Sequence, residues 1–121
     1  MLLDINNKRV NRNPHREEFN LWKARISDAD FQAMEQAIND FCNDHNEFRS
    51  SFMPGQDTKI QELFPALTAA CSGNEEQAGF FFGNIVWRVV DDRTDEWYFR
   101  VSDKDDEHPL GTFYWRKNRQ N

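Results

Sequence analysis

Residues 80–90 read FFFGNIVWRVV, and this apolar stretch decides how the chain divides between helix and sheet. Asn74 and the acidic residues behind it are typical of a helix N-terminus, so a helix is expected to enter the stretch. Four of the six residues in 85–90 are β-branched and they follow a glycine, which favours a strand. The pattern therefore favours a helix to about Phe82 and then a strand over 85–90. The alternative is one buried helix that continues to about Asp91.

Helices are also predicted upstream of this stretch. Ser27 precedes acidic residues, and apolar side chains then recur at helical spacing from Phe31 to Cys42. A further helix is expected from about Asp57 to Cys71, with a kink or break at Pro65 because proline lacks an amide donor. The segment between these two helices is predicted to be a loop whose Pro-Gly pair forms a type II turn.

A shorter helix is predicted to begin at the pair Asn13-Pro14, since asparagine caps helices and proline suits the first helical position. Phe19 and Trp22 follow at helical spacing, although the same residues also fit an extended segment. Residues 1–13 contain few apolar side chains and are expected to form either a loosely held arm or a short edge strand.

The C-terminal third has the alternation of β-strands. Residues 97–102 and 112–117 are two such stretches, separated by an acidic loop. The side chains predicted to face inward are Trp97, Phe99, Val101, Phe113 and Trp115. The fold class predicted is therefore α+β, in which two or three N-terminal helices pack on a small C-terminal antiparallel sheet with the order of a meander. We expect one globular domain over residues 1–121.

Composition narrows the class of protein. The 121 residues carry a net charge of −6 and include 11 Phe, 4 Trp and 2 Tyr, so an aromatic core is expected. The two cysteines, Cys42 and Cys71, lie in apolar helical patterns and are expected to be reduced and buried. Asp4 follows Met1–Leu3 before any apolar run of the length that a signal peptide needs, so no signal peptide is expected. No apolar stretch is long enough to span a bilayer. A cytoplasmic protein that does not enter membranes is expected.

The motifs for catalysis and for metal binding are incomplete. Cys42 and His45 have the spacing of one zinc-ligand pair, but structural zinc sites show two pairs. The loop around Asp103 and Asp105 begins like a calcium loop but lacks its glycine and its final glutamate. We therefore predict no cofactor and no metal. A small hydrolase that uses a histidine, either His45 or His108, with nearby carboxylates is the third functional hypothesis.

The second hypothesis is a single-stranded nucleic-acid binder. The alternation places Tyr98 and Arg100 on one side of their strand, and Tyr114 and Arg116 on the same side of the next. Arginine beside tyrosine on an open sheet can pair with phosphates and stack on bases. The net negative charge and the lack of an RNA-binding motif disfavour nucleic acid.

The leading hypothesis is a non-enzymatic binding module that self-associates, as a dimer, through an aromatic surface. The candidate anchors are Phe80, Phe81, Trp87 and Trp97, because three consecutive rings cannot all face the same core. The same surplus of rings could line a pocket for a small apolar or aromatic ligand.

Overall fold

The computed structural model describes residues 1–10, 16–101 and 111–118. Within them the helices are α1 (Arg16–Lys23), α2 (Asp28–Asp44), α3 (Met53–Gln56), α4 (Thr58–Ala70) and α5 (Glu75–Asp92). The strands are β1 (Leu2–Leu3), β2 (Glu47–Arg49), β3 (Trp97–Val101) and β4 (Thr112–Arg116), and a 3-10 turn, Ser50–Phe52, precedes α3. The class is α+β, as predicted. None of the described helices is long and apolar enough to cross a membrane.

The helix starts follow the predicted capping. The Ser27 hydroxyl accepts a hydrogen bond from the Asp30 amide at 3.1 Å, and Asp57 caps α4 in the same way through the Ile60 amide at 2.9 Å. The helix α4 continues through Pro65, so the predicted break there is wrong. The predicted loop with a type II turn is also wrong, since the 3-10 turn and the single turn of α3 occupy those residues. The predicted helix start at Asn13-Pro14 lies outside the described residues.

The apolar stretch 80–90 belongs entirely to α5, so the strand favoured over 85–90 is wrong and the alternative, a continuous helix, is confirmed. The side chain of Asn74 caps α5 by accepting from the Gln77 amide at 3.0 Å. The physical reason is burial, because Ile85, Val86 and Val90 are all almost inaccessible to water. Packing on several sides of a central helix outweighs the intrinsic strand preference of β-branched residues.

The sheet has the strand order β1-β3-β4-β2 and is mixed, because β1 pairs parallel to β3. The predicted antiparallel meander is therefore wrong. In the described part of the N-terminal segment, Leu2 and Leu3 are buried in the sheet. These two residues form a short strand at the edge of the sheet, which matches the edge-strand alternative. Strands of two and three residues, such as β1 and β2, are too short to show an alternating pattern in the sequence.

One side of the sheet, the inner face, packs on the helices. Its side chains are Leu2, Phe48, Trp97, Phe99, Tyr114 and Arg116. Contacts that join this face to the helices include Phe41 with Phe48, at 5.4 Å between ring centroids, and Trp87 with Phe99 at 4.7 Å. The aromatic core is thus confirmed.

The strand β4 is turned over relative to the prediction. Tyr114 and Arg116 lie on the inner face, and Phe113 and Trp115, which were predicted to face inward, lie on the opposite side. On β3, Trp97 faces inward as predicted, whereas Val101 at the strand end is 54% exposed. Aromatic residues occupy both sets of alternating positions in β4, which are the two phases of the strand. Apolar content alone could therefore not determine which phase faces the helices.

The cap and the apolar stripe of α2 should contribute unequally to stability. Ser27→Ala removes a single capping bond and is expected to lower the free energy of unfolding by about 1 kcal/mol. Phe31, whose ring meets Phe19 at 6.1 Å between centroids, is buried, so Phe31→Ala should cost about 3–5 kcal/mol. Urea unfolding measures both values, and equal small losses would contradict the core role of Phe31.

Candidate functional site

The candidate functional site is the other side of the sheet, which we call the outer face. It comprises Leu3, Glu47, Arg49, Tyr98, Arg100, Phe113 and Trp115. The register of the three longer strands places the outer-face residues in two rows across the sheet. The first row is Tyr98, Trp115 and Glu47, and the second row is Arg100, Phe113 and Arg49.

The rings of the outer face contact one another in a continuous series. The Trp115 ring lies 5.6 Å from the Tyr98 ring and also 5.6 Å from the Phe113 ring, with interplanar angles of 33° and 34°. Tyr98 and Trp115 form a cross-strand pair, whereas Phe113 and Trp115 are neighbours along β4, and aromatic contacts at such distances stabilise a sheet. All three rings remain partly accessible to water. The outer face is therefore an ordered aromatic surface.

Charged side chains border this aromatic surface. The guanidinium of Arg49 lies 5.9 Å from the Phe113 ring centroid and 6.0 Å from that of Phe52, which is half exposed. Arg100 is exposed on the other side of Phe113, and Glu47 is exposed beside Trp115. The charges thus differ between the rows, with two arginines in one and a glutamate in the other.

The ends of the two rows are positioned from neighbouring segments. The Tyr98 hydroxyl donates a hydrogen bond to the Asn7 side chain, in the turn that follows β1. At the start of β4, Gly111 has a positive φ of 77°, and a Cβ there would lie 2.6 Å from the Ser50 hydroxyl. That hydroxyl accepts a hydrogen bond from the Thr112 amide at 3.0 Å. These contacts tie β3 to the turn after β1, and the start of β4 to the 3-10 turn after β2.

The residues predicted as sites divide between the surface and the core. Tyr98 and Arg100 lie on the outer face, where the sequence placed them. The anchors Phe81, Trp87 and Trp97 are buried, whereas Phe80 is 51% exposed on α5. Phe81 and Trp87 on α5 therefore belong to the core, although the sequence analysis assigned them to a surface for partners.

Tyr114 and Arg116 were predicted on the basic face with Tyr98, and the structure corrects this placement, because both are buried on the inner face. Sequence reasoning in turn missed Phe113 and Trp115 as surface residues, and it missed Glu47 and Arg49 altogether. No sequence signal marked the phase of β4, because an arginine such as Arg116 is ordinarily exposed. No sequence signal was found for the three-residue strand β2.

Arg116 is a buried cation with a full set of acceptors. Its guanidinium donates to the carbonyl oxygens of Cys42 at 2.6 Å and His45 at 3.4 Å, and to the Asn46 side chain at 3.2 Å. It also forms an ion pair with Asp95. The carbonyls of the last turn of a helix lack partners within the helix and favour a cation, so Arg116 closes the C-terminus of α2.

Asp95 links Arg116 to a second arginine. Arg93 contacts the same carboxylate at 2.9 Å and donates to the Asn39 side chain at 2.6 Å. Burial alone would raise the pKa of Asp95, but the hydrogen bonds from Arg93 and the positive charges of both arginines outweigh it. The pKa therefore lies below its usual value. This network joins α2, β4 and the segment between α5 and β3.

His45 and the two cysteines lie at or near the C-terminal ends of α2 and α4. The His45 ring stacks on Phe41 at 3.9 Å, and its Nδ1 lies 2.9 Å from the Phe41 carbonyl oxygen. Both cysteines are free and buried, and burial raises the pKa of Cys42 to about 12. No group of three potential metal ligands is found in the described residues. His108 and the acidic loop lie outside them.

A shallow open groove of about 370 Å³ lies between α2 and α5. Its lining residues are Gln32, Glu35, Gln36, Asn39, Val89, Asp92 and Arg93. Burial is the largest cause that raises the pKa of Glu35. Arg93, however, is held by Asp95 and Asn39, so the other side chains that line the groove are amides and carboxylates together with Val89.

Comparisons with known proteins give no assignment: no family model, curated protein or solved structure matches the chain. We therefore infer the function from the geometry of this site.

The depressed pKa of Asp95 predicts a specific dependence on pH. An ionised carboxylate that is better stabilised in the folded chain contributes stability above its unfolded pKa, and that contribution is lost as pH falls through the folded value. Asp95→Asn should therefore be less stable than the wild type by a constant amount between pH 5 and 7. Below about pH 4 this difference should shrink. Urea unfolding of both proteins over this range tests it, and a difference independent of pH would contradict the ion-pair account.

Proposed function

We propose that this chain is a non-enzymatic binding module that self-associates, and that two copies meet through the outer face. The observation that carries the proposal is the continuous series of partly accessible rings formed by Tyr98, Trp115 and Phe113. Large aromatic side chains and arginine are enriched in the centres of protein interfaces, where they dominate the binding energy. The proposed setting is the cytoplasm, where the free thiols would stay reduced.

The distribution of the remaining aromatic residues supports this choice of surface. Most of the aromatic side chains on the helices, including Phe81 and Trp87, are buried in the core. The rings of the outer face are held in place by their neighbours and by the strands beneath them. A preordered surface loses little side-chain entropy on association, which favours binding.

A second candidate function, binding of single-stranded nucleic acid, is favoured by one observation. Arg49 and Arg100 flank Phe113 on the two neighbouring strands, so a base stacked on the ring would bring phosphates close to both guanidinium groups. The exposed carboxylate of Glu47 in the adjacent row and the net charge of −6 oppose this function.

The proposed surface is tested by sedimentation equilibrium from micromolar to submillimolar concentration. The wild type should approach twice the chain mass of 14.4 kDa, whereas Trp115→Thr and Phe113→Thr should remain at 14.4 kDa. Threonine keeps the strand preference while removing the ring, so the fold should survive. The control is Phe80→Gln on α5, which should still dimerise. Dissociation by Phe80→Gln alone would contradict the outer face as the interface.

The second candidate is tested by fluorescence anisotropy with a labelled oligothymidylate. Our proposal expects no binding at 0.1 M salt by the wild type. Micromolar, salt-sensitive binding that is lost in the double variant Arg49→Gln, Arg100→Gln would favour nucleic acid and contradict self-association as the main function.

A further inference from the structure

The groove between α2 and α5 lies among the helices and shares no lining residue with the outer face. Its volume of about 370 Å³ is within the range of small-ligand sites, which is about 300–1,000 Å³. It is lined by a carboxylate from each helix, Glu35 on α2 and Asp92 on α5. A ligand in the groove therefore has a negative charge available on both of its walls.

The carboxylate of Glu35 has no compensating partner. Glu35 is half-buried, and among the described residues it has no hydrogen bond and no ion pair. Burial is the largest cause that raises its pKa, Lys23 on α1 lowers it, and Asp92 raises it further. The ammonium of Lys23 lies over the Phe31 ring, 5.0 Å from its centroid. The ionised form of Glu35 is thus less stable in the fold than in water, and a bound cation would compensate it.

The positive charge that lines the groove, Arg93, is already engaged. Its guanidinium donates five hydrogen bonds, which go to Asn39, Asn43 and Asp95. A guanidinium has five N–H donors, so none remains for Glu35 or Asp92. Both carboxylates of the groove are therefore left to an external cation.

The other side chains that line the groove suit a planar cation on an aliphatic stem. Gln36 donates its amide nitrogen to Asp40 at 2.8 Å, so its amide oxygen is the atom left to accept a bond. Gln32 also carries an amide oxygen, and Val89 provides an apolar surface against which methylene groups can pack. Acceptors on two helices favour the rigid fork of donors of a guanidinium over a compact ammonium.

We propose that this groove binds a guanidinium group carried on an aliphatic chain, with Glu35 and Asp92 as its counter-charges. The inference goes beyond the proposed function and concerns a different side of the molecule. The ligand has two sources, a free small cation or an arginine side chain of a partner protein. Because the groove is open and a small cation makes few contacts, its dissociation constant should be millimolar.

Binding is measured by titration of the full chain, labelled with ¹⁵N, with butylguanidinium at pH 7. The side-chain amide signals of Gln32 and Gln36 should shift and saturate. Butylurea has the same shape without the charge and should bind at least tenfold more weakly. Butylammonium should also bind more weakly, because it has fewer donors. Equal affinity for butylurea would overturn the proposal, and equal affinity for butylammonium would overturn the choice of a guanidinium.

Variants that remove one charge test the two carboxylates. Glu35→Gln and Asp92→Asn should each raise the dissociation constant for butylguanidinium at least fivefold. The matched control, Glu62→Gln on the exposed side of α4, should leave it within twofold. An equal loss of affinity in the control would overturn the proposal.

Stability separates a binding role of the groove carboxylates from a structural one. Glu35 lacks a partner, and Asp92 carries a negative charge at the C-terminal end of α5, where the helix dipole opposes it. Both groove variants should therefore be at least as stable as the wild type in urea at pH 7. A less stable Glu35→Gln variant would identify Glu35 as a structural residue and overturn the proposal.

The protonation of Glu35 gives a further readout. A bound cation favours the carboxylate, so saturation with butylguanidinium should lower the pKa of Glu35, followed through its side-chain carboxyl ¹³C signal. Protons and the cation then compete, and the affinity should fall as pH is lowered through this pKa. A pKa of Glu35 that ignores the ligand would overturn the proposal.

The outcomes are separate from those for self-association. A wild type without saturable shifts, or with the same affinity as Glu35→Gln, would overturn the groove as a cation site and leave the proposed function standing. A wild type that remains a monomer would overturn only the proposed function. A blocked Gly-Arg-Gly peptide that binds at least fivefold tighter than butylguanidinium would assign the ligand to a partner protein, and equal or weaker binding would assign it to a free cation.

Discussion

The buried guanidinium of Arg116 is the constraint on which the arrangement of this molecule depends. It is only 4% exposed, it lies 4.5 Å from the Trp97 ring centroid, and it donates to the carbonyls that end α2. A buried cation is tolerated only where it is paired and hydrogen-bonded, and these acceptors exist on the helix side of the sheet. In the inward phase of β4, which it shares with Tyr114, Arg116 satisfies these carbonyls, and in the opposite phase they would lose this donor.

The position of the candidate functional site follows from that phase of β4. With Arg116 inward, Phe113 and Trp115 must face outward, where they meet Tyr98 on the neighbouring strand. The opposite phase would bury these two rings and expose Tyr114. The phase that contains Arg116 thus sets both the side of the sheet that packs on the helices and the aromatic side that faces outward. Core and surface are two consequences of one register.

The sequence predicted the parts of this structure that local chemistry determines. The cap at Ser27, the buried stripe of α2 and the strand character of β3 could be inferred from capping residues and periodicity. The continuous α5 could be stated only as an alternative, because its β-branched residues obey local preferences that packing overrides. The parallel pairing of β1 could not be predicted, because contacts distant in sequence create it.

The phase of β4 tests the account most directly, and a nuclear Overhauser spectrum of the isotopically labelled protein measures it. We predict cross-peaks from the Trp115 indole to the rings of Tyr98 and Phe113, and from the Tyr114 ring to Phe48, whose centroid lies 5.3 Å away. Cross-peaks between the Trp115 indole and Phe48, together with a solvent-exposed Tyr114, would contradict the role of Arg116 and remove the aromatic outer face.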